Sequence, residues 1–373
     1  MTHSEYDEYR PPEPPRRRRR GGRGAGPGGR GKRRRDLTES GGGDGSREMA
    51  MVEDVEFESY YGRPVVKAPP WETPIGIYLF VGGLAGASGL LQAGAALTGN
   101  AELRRSARLV AIAAVGVGTP ALVIDLGRPE RFLHMMRVFK VSSPMSLGTW
   151  ILSSYASGAA MTAANEVDRM TGERLPFGPL RPLLRLAEGP SAALQGVMGA
   201  PLAAYTAVLL GDTAVPTWNA ARHGLPFVFV SSASLAAGGM AMALTSRKNA
   251  GPARLLAAAG VIGDLVGMHF TKSTMHPLES EPLEEGRPGT LLRWAERLAV
   301  AGGIGTLLAR RSRTVAVASG LALAGASALT RFGVLHAGHE SVKDPRRVMI
   351  PQKDRLEKRR AAGITDDSIT TGW

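Results

Sequence analysis

TPIGIYLFVGGLAGASGLLQAGAALTGNA, residues 73–101, contains no Asp, Glu, Lys or Arg. A helix rises about 1.5 Å per residue, so roughly 20 apolar residues cross a hydrocarbon core of about 30 Å. A charge held at that depth costs about 3 kcal/mol on insertion scales. This stretch therefore reads as a membrane-spanning helix, entered through Trp71 and Pro74.

Three other stretches are equally free of charge: residues 141–165, 189–211 and 223–246. Residues 109–124 form a shorter one that ends at Asp125. Residues 255–271 are interrupted by Asp264 alone, and residues 314–330 are uncharged but made of Ala, Gly, Ser and Val. Residues 298–309 are short and need residues 291–297 to reach across. The expectation is an all-α polytopic membrane protein of about eight spans, near residues 75–97, 109–126, 146–165, 190–211, 224–245, 253–271, 292–309 and 314–335.

The mean hydropathy of the whole protein is near zero because two materials are joined. Residues 1–70 have almost no apolar runs and read as a disordered Arg/Gly/Pro-rich tail, which cannot bury enough surface to offset ordering entropy. Residues 336–373 read as a polar C-terminal tail. The arginine run at residues 16–20 is followed by GGRGAGPGG rather than an apolar stretch, so it does not read as a signal peptide. The net charge of +13 lies in this tail and between the apolar blocks, where cations meet lipid headgroups. No nucleic-acid partner is expected. Orientation stays open: the loops after the odd-numbered spans hold more Arg and Lys, which places them in the cytoplasm, while the basic N-terminal tail argues the reverse.

There is no cysteine, which removes disulfides, thiolate zinc sites and cysteine-ligated clusters from this protein. The histidines at 134, 223, 269, 276, 336 and 339 fall at or beyond span ends, so haem is not expected, and no metal site is assigned. Small residues recur where helices would meet, among them Gly86, Gly94, Gly116, Gly118, Gly238, Gly239 and Gly320. In lipid, close backbone approach supplies packing energy, and small residues permit it. There is also an internal echo. Pro74 and Ala85-Gly86 in the first span recur as Pro226 and Ala237-Gly238 in the fifth, and Asp125 and Asp264 each sit on the second helix of a half. Duplication and chance both account for so short an echo.

Charged groups at membrane depth are the first functional candidates. Asp125 lies at a helix end, followed by Arg128 and Arg131, and suits a salt bridge or proton handling. Asp264 lies ten residues into its span and suits a cavity wall; His269 follows at i+5, on a different face. Glu72 stands at headgroup level, and Tyr78, Tyr155 and Tyr205 offer hydroxyls inside spans.

The block DLGRPERF at 125–132, VFK at 138–140 and SPMSLGTW at 143–150, ending in Trp150, resembles the NrfD/PsrC family of membrane anchor subunits of molybdopterin oxidoreductases. YLFVGGLAG at 78–86 is similar to that family's opening helix, and RFGVLHAGHESVKDP at 331–345 to its closing segment. The resemblance implies two four-helix bundles and a respiratory electron-transfer role in the bacterial plasma membrane. It implies quinone (menaquinone or ubiquinone) as the mobile substrate, an iron–sulfur (ferredoxin-like) partner subunit, and a molybdopterin catalytic subunit. Where the family carries His and Asn near the start of its first helix, this sequence offers Glu72, Thr73 and Tyr78. The expected site sets Asp125, Arg128 and Arg131 against Glu72 and Tyr78, with Trp150 and His269 as further quinone contacts and Asp264 in proton delivery. An ion or solute transporter, or a tether without quinone chemistry, are the rival classes.

Overall fold

The computed structural model describes residues 64–364 except Pro129. The first 63 residues of the expected disordered tail, and residues 365–373, lie outside the described residues. Residues 64–72 run without helix into α1 (Thr73–Leu97). Then follow α2 (Ala101–Asp125), α3 (Glu130–Met135), α4 (Pro144–Met170), α5 (Arg181–Gly211), α6 (Pro216–Ala220), α7 (Leu225–Leu244) and α8 (Gly251–Thr274). The polypeptide continues through α9 (Pro277–Ser280), α10 (Gly286–Leu308), α11 (Arg313–Lys343) and α12 (Arg346–Ala361).

Helix starts follow local chemistry. Proline stands in the first turn of α1, α4, α7 and α8, where its missing N–H would have no helical partner. Asn100 and Ser143 cap α2 and α4, their side-chain oxygens accepting from the N–H groups of Leu103 (3.1 Å) and Ser146 (3.4 Å).

Among the described residues, six helices are long and apolar enough to cross a membrane: α1, α2, α5, α7, α8 and α11. The other two long ones, α4 and α10, have 27 and 23 residues but carry charges near one end. All eight belong to two four-helix bundles built in the same order. In the first, α1 packs on α2 and α5, α4 packs on α5, and α2 touches α4. In the second, α7 packs on α8 and α11, α10 packs on α11, and α8 touches α10. The bundles meet where α7 packs against α1 and α5.

Backbone contact between small residues sets both bundles. A Cβ on Gly86 would stand 2.6 Å from the Gly199 carbonyl oxygen, and one on Gly199 would stand 2.5 Å from that of Gly86. Gly239 and Gly320 have the same reciprocal relation across α7 and α11. The packing register thus equates Gly86 with Gly239, one residue off the register of the sequence echo. Not every glycine serves this purpose: Gly94 and Gly116 face open space.

The sequence places the close of the last span at 335 and the start of a polar tail at 336. Instead α11 continues to Lys343 and keeps His336 and His339 within it. Gly338 lets the Trp218 indole lie against the helix, and Trp218 Nε1 donates to the Val334 carbonyl at 2.7 Å. The tail itself is helical in α12, which folds back onto the segment before α10. Arg347 pairs with Glu281 (2.9 Å), Arg355 with Glu279 (3.2 Å), and His276 with Asp354 (3.1 Å).

Candidate functional site

Adjacent long helices alternate in direction, so the start of α1 and the ends of α2 and α5 share one end of the structure with the starts of α4, α7 and α10. Most of the expected site residues lie at this end.

Asp125 sits against the backbone of Glu72, so the structure brings together the last residue of α2 and the residue before α1. Arg128 and Arg131 do not join them. Gly127, at φ +69°, turns the backbone out of the helix, and both arginines are exposed, with Arg131 Nη1 donating to the Leu126 carbonyl at 3.0 Å. Trp150 holds the loop ahead of its own helix. Its Nε1 donates to the Val138 carbonyl at 3.3 Å, and its ring meets Phe139 edge-on.

Tyr78 points into the first bundle and is fully buried. Its hydroxyl is hydrogen-bonded to that of Tyr205 on α5, either atom serving as donor. The half-buried Tyr205 ring forms part of the wall of a cavity of about 510 Å³ between α4, α5 and the segment joining the two bundles. Leu147, Ile151 and Val208 line its apolar side, and Asp212, Arg222 and His223 its polar side. Ring and wall fit closely, since a Cβ on Gly148 would overlap Tyr205. Tyr155, the third hydroxyl singled out from sequence, is committed to packing. It donates to the Ala85 carbonyl and accepts from Gln195 Nε2 at 3.3 Å.

A second cavity, of about 580 Å³, lies in the second bundle between α8, α10 and α11. Asp264 and His269 both line it. The cavity runs along α8 for more than a turn, so two residues on different faces both border it, Asp264 buried and His269 exposed.

The far end of the first bundle holds a buried charge network. Arg108, 1 % exposed, pairs through Nη1 with Glu166 (3.0 Å) and Glu188 (2.7 Å), and its Nε donates to Gln92 Oε1 at 3.3 Å. Gln92, Arg108, Glu166 and Glu188 come from α1, α2, α4 and α5, so one cluster ties all four helices. Asp168, fully buried, is held by Arg181 (3.1 Å) and Arg185 (2.7 Å). Sequence reading treats these arginines as loop cations. The signal that separates them is the pair of acids, Glu166 and Asp168, directly after an uncharged run.

Another residue without an expected role is Arg331, buried completely at the centre of α11. Its guanidinium lies 3.7 Å over the Phe229 ring, and Nη2 donates to the Phe229 carbonyl at 2.5 Å. The same group fills the space beside Gly83 of α1, so it reaches from the second bundle to the first.

Residues 64–266 match the sequence profile of a family described as Polysulphide reductase, NrfD. The protein is also 28 % identical over 173 residues to the C subunit of polysulfide reductase from Wolinella succinogenes, a match covering 43 % of this sequence and 54 % of that one. It thus spans about half the length of this curated relative. The profile match takes in the tyrosine pair and Asp264, and it leaves α10, α11 and α12 outside.

Proposed function

The protein belongs to the NrfD polysulphide reductase family, and from that premise we propose that it is the quinone-handling membrane subunit of an oxidoreductase complex. It passes electrons between the membrane quinone pool and an iron–sulfur partner subunit, and a molybdopterin subunit carries out the substrate chemistry. The observation that carries this reading is the cavity bordered by Tyr205, inside the stretch that matches the family.

A quinone headgroup needs a flat apolar slot and hydrogen-bond donors for its carbonyl oxygens. Pockets of about 300–1,000 Å³ with apolar walls and a few placed polar groups suit such ligands. Leu147, Ile151 and Val208 supply the walls. The Tyr205 hydroxyl, when it accepts from Tyr78, keeps its own proton to donate. His223 and Asp212 at the polar side can take up or return protons as the quinone changes redox state. The electrons leave to clusters held elsewhere, in keeping with a sequence that has no cysteine to ligate one.

The test is binding of a fluorescent quinol analogue to the full protein purified in mild detergent. Leu147→Trp fills the slot and Tyr205→Phe removes the donor. Each lowers affinity about tenfold, equivalent to about 1.4 kcal/mol, while Trp294→Phe on an exposed face leaves it unchanged. Equal affinity in all three variants would defeat the assignment of the slot. Absence of binding in the unaltered protein would favour a tether.

A further inference from the structure

We propose that Asp264 is a proton-accepting site, fed through the cavity between α8, α10 and α11, in a bundle half that lies mostly outside the family match. The inference does not rest on the quinone reading.

Depth and access are the first part of the case. Asp264 is 5 % exposed and about 15 Å from the end of α8 at 1.5 Å per residue. It forms part of the wall of a cavity whose other walls include Lys272 in the last turn of α8, Glu284 just ahead of α10, and Arg293 two turns into α10. A carboxylate at that depth is thereby connected to the region of the headgroups.

The second part is that its bonding is incomplete. Among the described residues, Asp264 Oδ1 has no hydrogen-bond partner, and neither do Arg331 Nε and Nη1. Buried polar atoms are ordinarily satisfied by protein or by ordered water. A carboxylate serving only as a fixed structural ion would be locked by donors, as Asp168 is by Arg181 and Arg185.

The third part concerns the neighbouring cation. Arg331 is a buried positive charge whose field reaches Asp264, and its Nη2 and ring face are also held by the Phe229 carbonyl and ring. When the carboxylate takes up a proton, the guanidinium keeps the Phe229 ring and carbonyl as its hosts. At the mouth, Lys272 pairs with Glu284 (3.7 Å), and Arg293 donates to the Glu284 carbonyl (2.6 Å). His269 and Glu296 also face the cavity, and α7 carries no charged residue. The mouth cations Lys272 and Arg293 are thus engaged locally, away from Asp264. The step itself is simple: a proton from water at the cavity mouth adds to a carboxylate oxygen, giving a neutral acid, with no electron moved.

Dicyclohexylcarbodiimide, which modifies protonated carboxyls shielded from water, tests this on the full protein in membranes, with peptide mass spectrometry locating the adduct. The expected result is an adduct on Asp264 that falls about tenfold per pH unit above its titration midpoint. Asp264→Asn removes it and Asp264→Glu retains it. Phe229→Leu lowers it, because the guanidinium then turns to the carboxylate. An Asp264 that stays unmodified at every pH while other carboxyls react overturns the proposal. So does protection by sodium but not by choline, which makes the site one for a metal cation. An adduct unchanged in Phe229→Leu overturns the role given to the ring.

Discussion

The two bundles share a packing plan and differ in where they keep their charges. Gly86 against Gly199 in the first and Gly239 against Gly320 in the second bring equivalent backbones into contact. The first bundle collects its buried charges at one end and pairs them, Arg108 with Glu166 and Glu188 and with the Gln92 amide, from four helices. None of these side chains has an unpartnered buried atom among the described residues. The second sets Asp264 and Arg331 at mid-depth and leaves polar atoms on both without partners among the described residues. A common frame can therefore carry a structural clamp in one half and a titratable centre in the other. The lesson is that burial of a charge says little until its bonds are counted.

The largest test of that contrast is Glu166→Gln. It leaves Arg108 buried beside a reduced set of acids, and removing one partner of a buried pair costs about 3–5 kcal/mol. Unfolding in mild detergent, followed by loss of helical circular dichroism, measures it. Asp264→Asn in the same assay costs about 1 kcal/mol or less, because no clamp is broken. Equal losses would erase the distinction between the halves. Next in size are Gly86→Val and Gly239→Val, each forcing apart two backbones at a cost of roughly 2–3 kcal/mol. Similar losses sharpen the view that the frames are equivalent, and a loss confined to one half breaks it. The smallest effect is Arg347→Ala. It removes an ion pair that is partly exposed and screened, costing well under about 1 kcal/mol. Faster tryptic cleavage within α12, with the remaining helices intact, is the expected sign.

Much of the frame is legible in sequence because hydrocarbon excludes charge. Residues 73–101, 189–211 and 223–246 announce α1, α5 and α7 by composition alone. Helix ends are less legible. The charges Arg104, Arg105 and Arg108 read as loop, yet they lie inside α2, with Arg108 neutralised by acids 58 and 80 residues away. Local sequence does not encode a partner at that distance. The same reason hides the site's real company. Tyr78 and Tyr205 are each visible as hydroxyls inside spans, but 127 positions separate them and only the fold makes them a pair. Arg331 is visible only as the first letter of a closing motif. Its burial depends on Gly83 and Phe229, on α1 and α7, leaving room for a guanidinium. The cluster of Asp125 with Arg128 and Arg131 is the opposite case. There, past the turn at Gly127, Arg131 bonds the Leu126 carbonyl, and among the described residues Asp125 meets the Glu72 backbone.

The stacked indoles of Trp71 and Trp218, with ring centroids 5.4 Å apart, carry a mechanical consequence. Trp71 leads into the first helix, while Trp218 belongs to the short linker joining the halves and is bolted to α11 through Val334. The backbone just ahead of the first helix is therefore tied, through two indoles, to the linker between the halves and to α11. Loss of either indole would uncouple that entry segment from the seam between the halves.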